Sequence, residues 1–173
     1  MPVDMKQLIA QATNDLLVNK HVHKLTVKDI VDECHITRQA FYYHFADIPE
    51  LLSWTLKKES NELMAGLKDQ QSGEEMIKYL LMVAINVIPY VHSGMETNYR
   101  HEIEELINNQ IYSCCKYIAF NNPETTRFND EDIDFVIRYH EQAVIGYLKG
   151  WNEEDSKNVD HIAHLIYRIM SGK

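Results

Sequence analysis

The chain is predicted to be all-α, with about nine helices. Three observations predict this. Only 6 Gly and 4 Pro occur in 173 residues, too few for the turns of a β-sandwich or barrel. Helix-forming residues dominate long uninterrupted runs. Apolar residues recur at helical spacing along most of the chain. The 45% hydrophobic share is ordinary for a globular protein with a real core.

The elements follow in order. Leu8, Ile9, Ala12, Leu16 and Leu17 make one apolar face of a helix over 4–19. A loop over 21–25 comes next. Thr26 opens the second helix, its hydroxyl capping the first turn while Asp29, three residues on, reaches back. Val27, Ile30, Val31 and Cys34 form the inward face, and His35-Ile36 make a turn. Thr37 is a second N-cap, for a helix running to Phe45. Asp47 caps a long helix reaching about Leu67, with Pro49 in its first turn, where a missing N–H costs nothing. A helix over 74–92 is bent or ended by Pro89, and His92-Ser93-Gly94 is a break. Two helices are expected over 96–108 and 109–121, then a loop over 121–130. The last two helices cover about 131–151 and 156–170. The division expected is an N-terminal domain over 1–48 and a larger helical domain over 49–173.

Those last two helices carry wide apolar stripes. Ile133, Val136, Ile137, His140, Val144, Tyr147, Leu148 and Trp151 mark one, and Val159, Ile162, Leu165, Ile166, Ile169 and Met170 the other. A wide stripe with nothing following it suggests burial against a second copy of the chain.

The stretch from Leu25 to Leu52 is the most informative. Two short helices joined by a tight turn form a helix-turn-helix, whose second helix enters the major groove N-terminus first. Phe41 and Phe45, four apart, turn inward with Ala40 and fill the inner arc. Arg38 and Gln39 occupy the leading turn and face outward. Arg can grip guanine and Gln adenine, each with two hydrogen bonds. Thr26 and Thr37 combine a hydroxyl with a helix N-terminus, which favours phosphate. Tyr42 and His44 can donate to phosphate oxygens, and Tyr43 can do so or lie on a thymine methyl. The reading is therefore a DNA-binding regulator.

The segment resembles the TetR family of bacterial regulators. The resemblance rests on Thr26-Val27-Lys28-Asp29-Ile30, on Phe41-Tyr42-Tyr43-His44-Phe45 and on Glu50-Leu51-Leu52. The run from Arg38 to Ile48 is similar to a Firmicutes-type branch that includes activator-like members associated with dihydroxyacetone kinase operons. The resemblance covers about residues 5–55. It implies a homodimer joined through the last two helices, palindromic operator DNA as partner, and a ligand cavity controlling the spacing of the recognition helices. Two positions depart from the pattern. The family's turn Gly is replaced by His35, which must then take a positive φ. The family's phosphate-binding Lys at the start of the fourth helix is replaced by Ile48.

Candidate cavity residues are Tyr79, Met82, Val83, Asn86, Tyr112, Cys115, Tyr139 and His140, with Met76, Tyr99, His101 and Phe135 nearby in the pattern. Met, Tyr and His suit an adaptable, partly polar cavity for a small-molecule effector, whose identity the residues do not disclose. His161 and His164 share a helix face but lack a metal-ligand pattern, so no metal or other cofactor is expected. No nucleophile elbow, phosphate loop or dinucleotide fingerprint is present, so no enzyme is expected.

Charge and cysteines bound the reading further. The net charge is −9. Residues 1–54 hold 5 Lys+Arg against 7 Asp+Glu, a net of −2, so counterion release should contribute little affinity. This keeps a rival open, a regulator-fold protein acting through a partner protein. Cys34, Cys114 and Cys115 make no disulfide framework and fit a reducing cytoplasm. The apolar run Tyr79–Val91 is too short to span a membrane.

Overall fold

The computed structural model describes residues 4–121 and 129–171. The loop expected over 121–130 lies mostly outside them. Among the described residues the chain forms nine helices and no strand. They are α1 (Met5–Val18), α2 (Val27–Cys34), α3 (Arg38–His44), α4 (Ile48–Lys68), α5 (Gly73–Met95), α6 (Arg100–Asn121), α7 (Asp130–Lys149), α8 (Glu153–Lys157) and α9 (Val159–Ser171).

Contacts divide the chain into two compact units. One runs through Glu59 and includes Ile88–Leu106; the other holds Ser60–Val87 and the chain from Ile107 onward. The first unit is built from caps inward. Asp4 accepts hydrogen bonds from the Lys6 and Gln7 amides and starts α1. Thr26 and Asp29 form a complete capping box on α2. Thr37 accepts from the Ala40 amide at 3.1 Å and starts α3. Asp47 accepts from the Glu50 amide at 2.8 Å, while the Glu50 carboxylate reaches back to the Ala46 amide at 2.6 Å. Four helix starts are thus fixed by side-chain oxygens that satisfy amides with no helical partner. Between them lies one core, in which Ile9, Leu16, Leu17, Leu25, Ile30, Val31, Phe41, Phe45, Ile48 and Leu51 are buried together.

His35 closes α2 in the left-handed region, at φ 55° and ψ 41°, as the missing turn Gly required. The Ile36 amide then bonds back to the Val31 carbonyl at 3.0 Å. A residue with a Cβ is strained there by about 1–2 kcal/mol, whereas Gly gives back about 0.5–1 kcal/mol through its freer unfolded chain. His35→Gly should therefore stabilise the protein by about 0.5 kcal/mol, and His35→Val should destabilise it. Chemical denaturation of the two variants checks both signs, and a destabilised His35→Gly would show that strain is not what His35 contributes.

The second unit packs Leu67 of α4, Met76, Ile77 and Leu81 of α5, Cys114 and Ile118 of α6, and Ile162, Ala163 and Met170 of α9. A Cβ at Gly66 would stand 2.0 Å from the Tyr79 Oη, so the glycine lets the Tyr79 ring reach the α4 backbone. Outside this core, Lys78 pairs with Asp160 at 2.5 Å and His164 Nδ1 lies 3.1 Å from Glu74. Both pairs are exposed and contribute little on their own.

Three expected boundaries differ. α5 runs unbroken through Pro89 and Ser93-Gly94 to Met95, and the chain turns at Glu96–Tyr99 instead. The stretch 96–121, expected as two helices, holds the single 22-residue α6. The final helix is divided: Asn152 and Asp155 cap the five-residue α8, and α9 starts anew after Asn158. One membrane expectation also changes. At 23 residues α5 is long and apolar enough to cross a membrane by length and composition. The same test is passed by helices of soluble proteins, and this one carries Glu74, Glu75 and Lys78 in its first two turns.

Candidate nucleic-acid interface

α3 divides cleanly into two faces. Phe41 is 0% exposed and Phe45 closes the same side, their ring centroids 6.1 Å apart. The opposite side presents Arg38, Gln39, Tyr42 and Tyr43 to solvent, with Tyr42 56% and Tyr43 85% exposed. His44 is half-buried, its ring edge-on to Tyr43 at 5.1 Å. Among the described residues the side chains of Arg38 and Gln39 make no hydrogen bond or ion pair, which leaves all their polar atoms available. Exposing two tyrosines on a seven-residue helix costs apolar burial that a purely structural helix would recover.

The two threonines differ. Thr37 is exposed and holds the α3 N-terminus open to solvent. Thr26 is half-buried, and its hydroxyl already donates to the Asp29 carboxylate at 2.5 Å while accepting the Asp29 amide. An anion approaching there would meet the amides of the first turn of α2 rather than a free hydroxyl. Ile48 is 2% exposed and fills the core, so the position of the family's Lys offers no charge to a phosphate.

Two further residues shape this unit. Asn98, in the turn between α5 and α6, accepts from the Leu25 amide at 2.8 Å and donates to the Leu25 carbonyl at 3.4 Å. Tyr99, a cavity candidate from the sequence, packs instead on the core that holds Phe41. Burial, with the carboxylates of Glu102 and Asp47, raises its hydroxyl pKa. Asn98 is an unremarkable polar residue between helices, and no local pattern marks it.

The eight cavity candidates go to several places. Tyr79 joins the Leu67 core. Cys115 and Tyr112 join a separate cluster with Ala119 and Ile137. Tyr112 donates to Asp134 at 2.8 Å, and that bond raises its pKa. Val83 is half-buried, whereas Met82 and Asn86 are exposed, with the Asn86 amide spent on the Met82 carbonyl at 3.0 Å. Tyr139 faces outward, and half-buried His140 has its pKa lowered by burial. Cys115 is held as a thiol, its pKa pushed up to about 12 by burial.

Beside His140, Glu141 is buried, and burial raises its pKa while Arg138 opposes the rise. A raised folded pKa means that folding favours the protonated acid, a contribution present at acid pH and lost as pH rises through the folded value. Glu141→Gln should therefore be more stable than the parent at pH 7, with the gain shrinking to nothing near about pH 4. Thermal unfolding at the two pH values checks it, and a variant less stable at pH 7 would contradict it.

Comparison with known proteins agrees with this geometry. Residues 9–53 match the family described as "Bacterial regulatory proteins, tetR family". The chain is 27% identical over 145 residues to the "HTH-type dhaKLM operon transcriptional activator DhaS" of Lactococcus lactis subsp. lactis (strain IL1403), covering 80% of this chain and 74% of that one. It shares its fold with a solved structure described as "Dihydroxyacetone kinase operon activator DhaS", with a TM-score of 0.66 at 20% identity over 96% of this chain and 94% of that one. The match spans residues 9–53, from α1 into the first turns of α4, so the N-terminal helices are similar to a tetR-family helix-turn-helix, and the chain as a whole is similar to transcription regulators that carry one.

Proposed function

We propose that the protein binds palindromic operator DNA as a homodimer, with residues 1–48 as the DNA-binding domain and 49–173 serving ligand binding and dimerisation. The observation that carries this is the two-faced α3: Phe41 and Phe45 are buried, while Arg38, Gln39, Tyr42 and Tyr43 are exposed on one short helix. Thr37, Arg38, Gln39, Tyr42, Tyr43 and His44 make the contacts, with Thr26 offering its helix end. Arg38 and Gln39 read bases, and the others hold the backbone.

Dimerisation runs through α7 and α9. Phe135 is 71% and Ile169 68% exposed, and Tyr139, Tyr147 and Leu165 are exposed large side chains on the same two helices. A second copy would cover them. A dimer also doubles the contact set, which matters for a domain with so little positive charge. Regulation of an operon as an activator, the role in the name of the lactococcal relative, is the reading we take for this chain, in the cytoplasm where its DNA lies.

Control by a small-molecule effector bound in the second unit is the first reading of the signal input. Control through a partner protein is the second. The scatter of the eight cavity candidates between two core clusters and the surface favours keeping it.

The test is enrichment of genomic DNA by the purified protein at low salt, where electrostatic attraction is strongest, together with its mass in solution. A discrete palindromic site bound by a dimer is the expected result. No enriched DNA defeats the DNA-binding reading, and a monomer at micromolar concentration defeats the dimer.

A further inference from the structure

We propose that Asn98 is a positioning residue for DNA binding, holding the entry to α2 from the turn between α5 and α6. The proposal rests on the DNA-binding reading and adds a residue that touches no DNA. Asn98 closes both backbone polar groups of Leu25, 73 positions earlier, with its amide oxygen 2.8 Å from the Leu25 nitrogen. Leu25 is itself buried, and it immediately precedes Thr26, the N-cap that orients α2. An unpaired buried amide is costly, so the Leu25 backbone is set where Asn98 can meet it.

The turn that carries Asn98 is itself braced. The buried Thr97 hydroxyl donates to the Gly94 carbonyl at 2.7 Å and accepts the Tyr99 amide at 3.1 Å. Tyr99 then packs on the core that holds Phe41. The α5–α6 turn therefore grips the helix-turn-helix at a backbone site and at a core site on either side of one peptide. A shift of that turn is passed to the N-terminus of α2, and through the turn at His35 to α3.

The probes are a duplex enriched from a random pool by the wild-type protein and a scrambled duplex of the same composition. Asn98→Ala should weaken the enriched duplex about tenfold, the scale of one hydrogen bond and its unmet partner. It should leave the scrambled duplex within about twofold, because charge contacts are unchanged. Amide exchange at Leu25 should accelerate about tenfold in Asn98→Ala and stay slow in Asn98→Asp, which keeps the accepting oxygen. Unchanged affinity for the enriched duplex overturns the proposal, as does an equal loss on both duplexes, which marks a general loss of fold. Unchanged Leu25 exchange in Asn98→Ala also overturns it. A wild-type protein that enriches no duplex defeats the DNA-binding reading itself, before any variant is made.

Discussion

Phe41→Ala is expected to cost about 3–5 kcal/mol, the range for truncating a fully buried aromatic side chain. Phe41 is 0% exposed at the centre of the first unit. Its ring lies 6.1 Å from Phe45 and 5.4 Å edge-on from Tyr42, and the surrounding cluster draws on α1, α2, α3 and α4. Three short helices cannot collapse onto the vacancy without moving their capped ends, so little of the loss is recovered. With total stability of about 5–15 kcal/mol for a typical domain, the unit should be largely unfolded at modest denaturant. Trp54 reports on this directly, because its ring sits 5.8 Å from Phe45 in the same core. Trp151 belongs to the second unit, so its signal must be removed by a Trp151→Phe background. The companion variant Tyr43→Ala, at an 85% exposed site two residues along, should change stability by less than about 0.5 kcal/mol. Equal costs at the two positions would show that α3 is not divided as described.

That division was legible in the sequence because short-range physics sets it. Phe41 and Phe45 are one helical turn apart, Thr26 and Asp29 have capping-box spacing, and a turn without Gly forces a positive φ on His35. What the sequence left undetermined depends on contacts remote along the chain. Asn108-Asn109 resembled a boundary on propensity alone, yet the α6 ladder continues through it to Asn121. Ser93-Gly94 resembled a break, yet Gly94 packs against Ile103 and the helix continues one residue further. Tyr99 belonged by composition with the aromatic cavity candidates, yet it packs on the first core, next to the Asn98 that pairs with Leu25. Met82, Asn86 and Tyr139 have the right chemistry for a cavity, but helix rotation turns them outward, and rotation follows from packing partners rather than local pattern.

The second large effect concerns the outward face. On the proposed reading, replacing Arg38 and Gln39 together by Ala should reduce affinity for the operator by at least about 30-fold, since a bidentate base contact carries about 1–3 kcal/mol of discrimination. Both side chains are exposed, so the melting temperature should not fall, which separates this loss from unfolding. Salt dependence then distinguishes what was lost. Gln39 carries no charge, and Arg38 aimed at a base releases no phosphate counterion, so the slope of log K against log salt should stay nearly constant. Lys28 is exposed in the first turn of α2, and on the proposed reading Lys28→Ala should instead lower that slope by about one while weakening all sequences alike. With a net charge of −2 over residues 1–54, the parent slope itself should be shallow, so selectivity in the proposed complex must come from base contacts more than from attraction to the backbone. A steep parent slope, or a double variant that loses operator and unrelated DNA equally, would mean that Arg38 acts only as a charge and that the bases are read elsewhere.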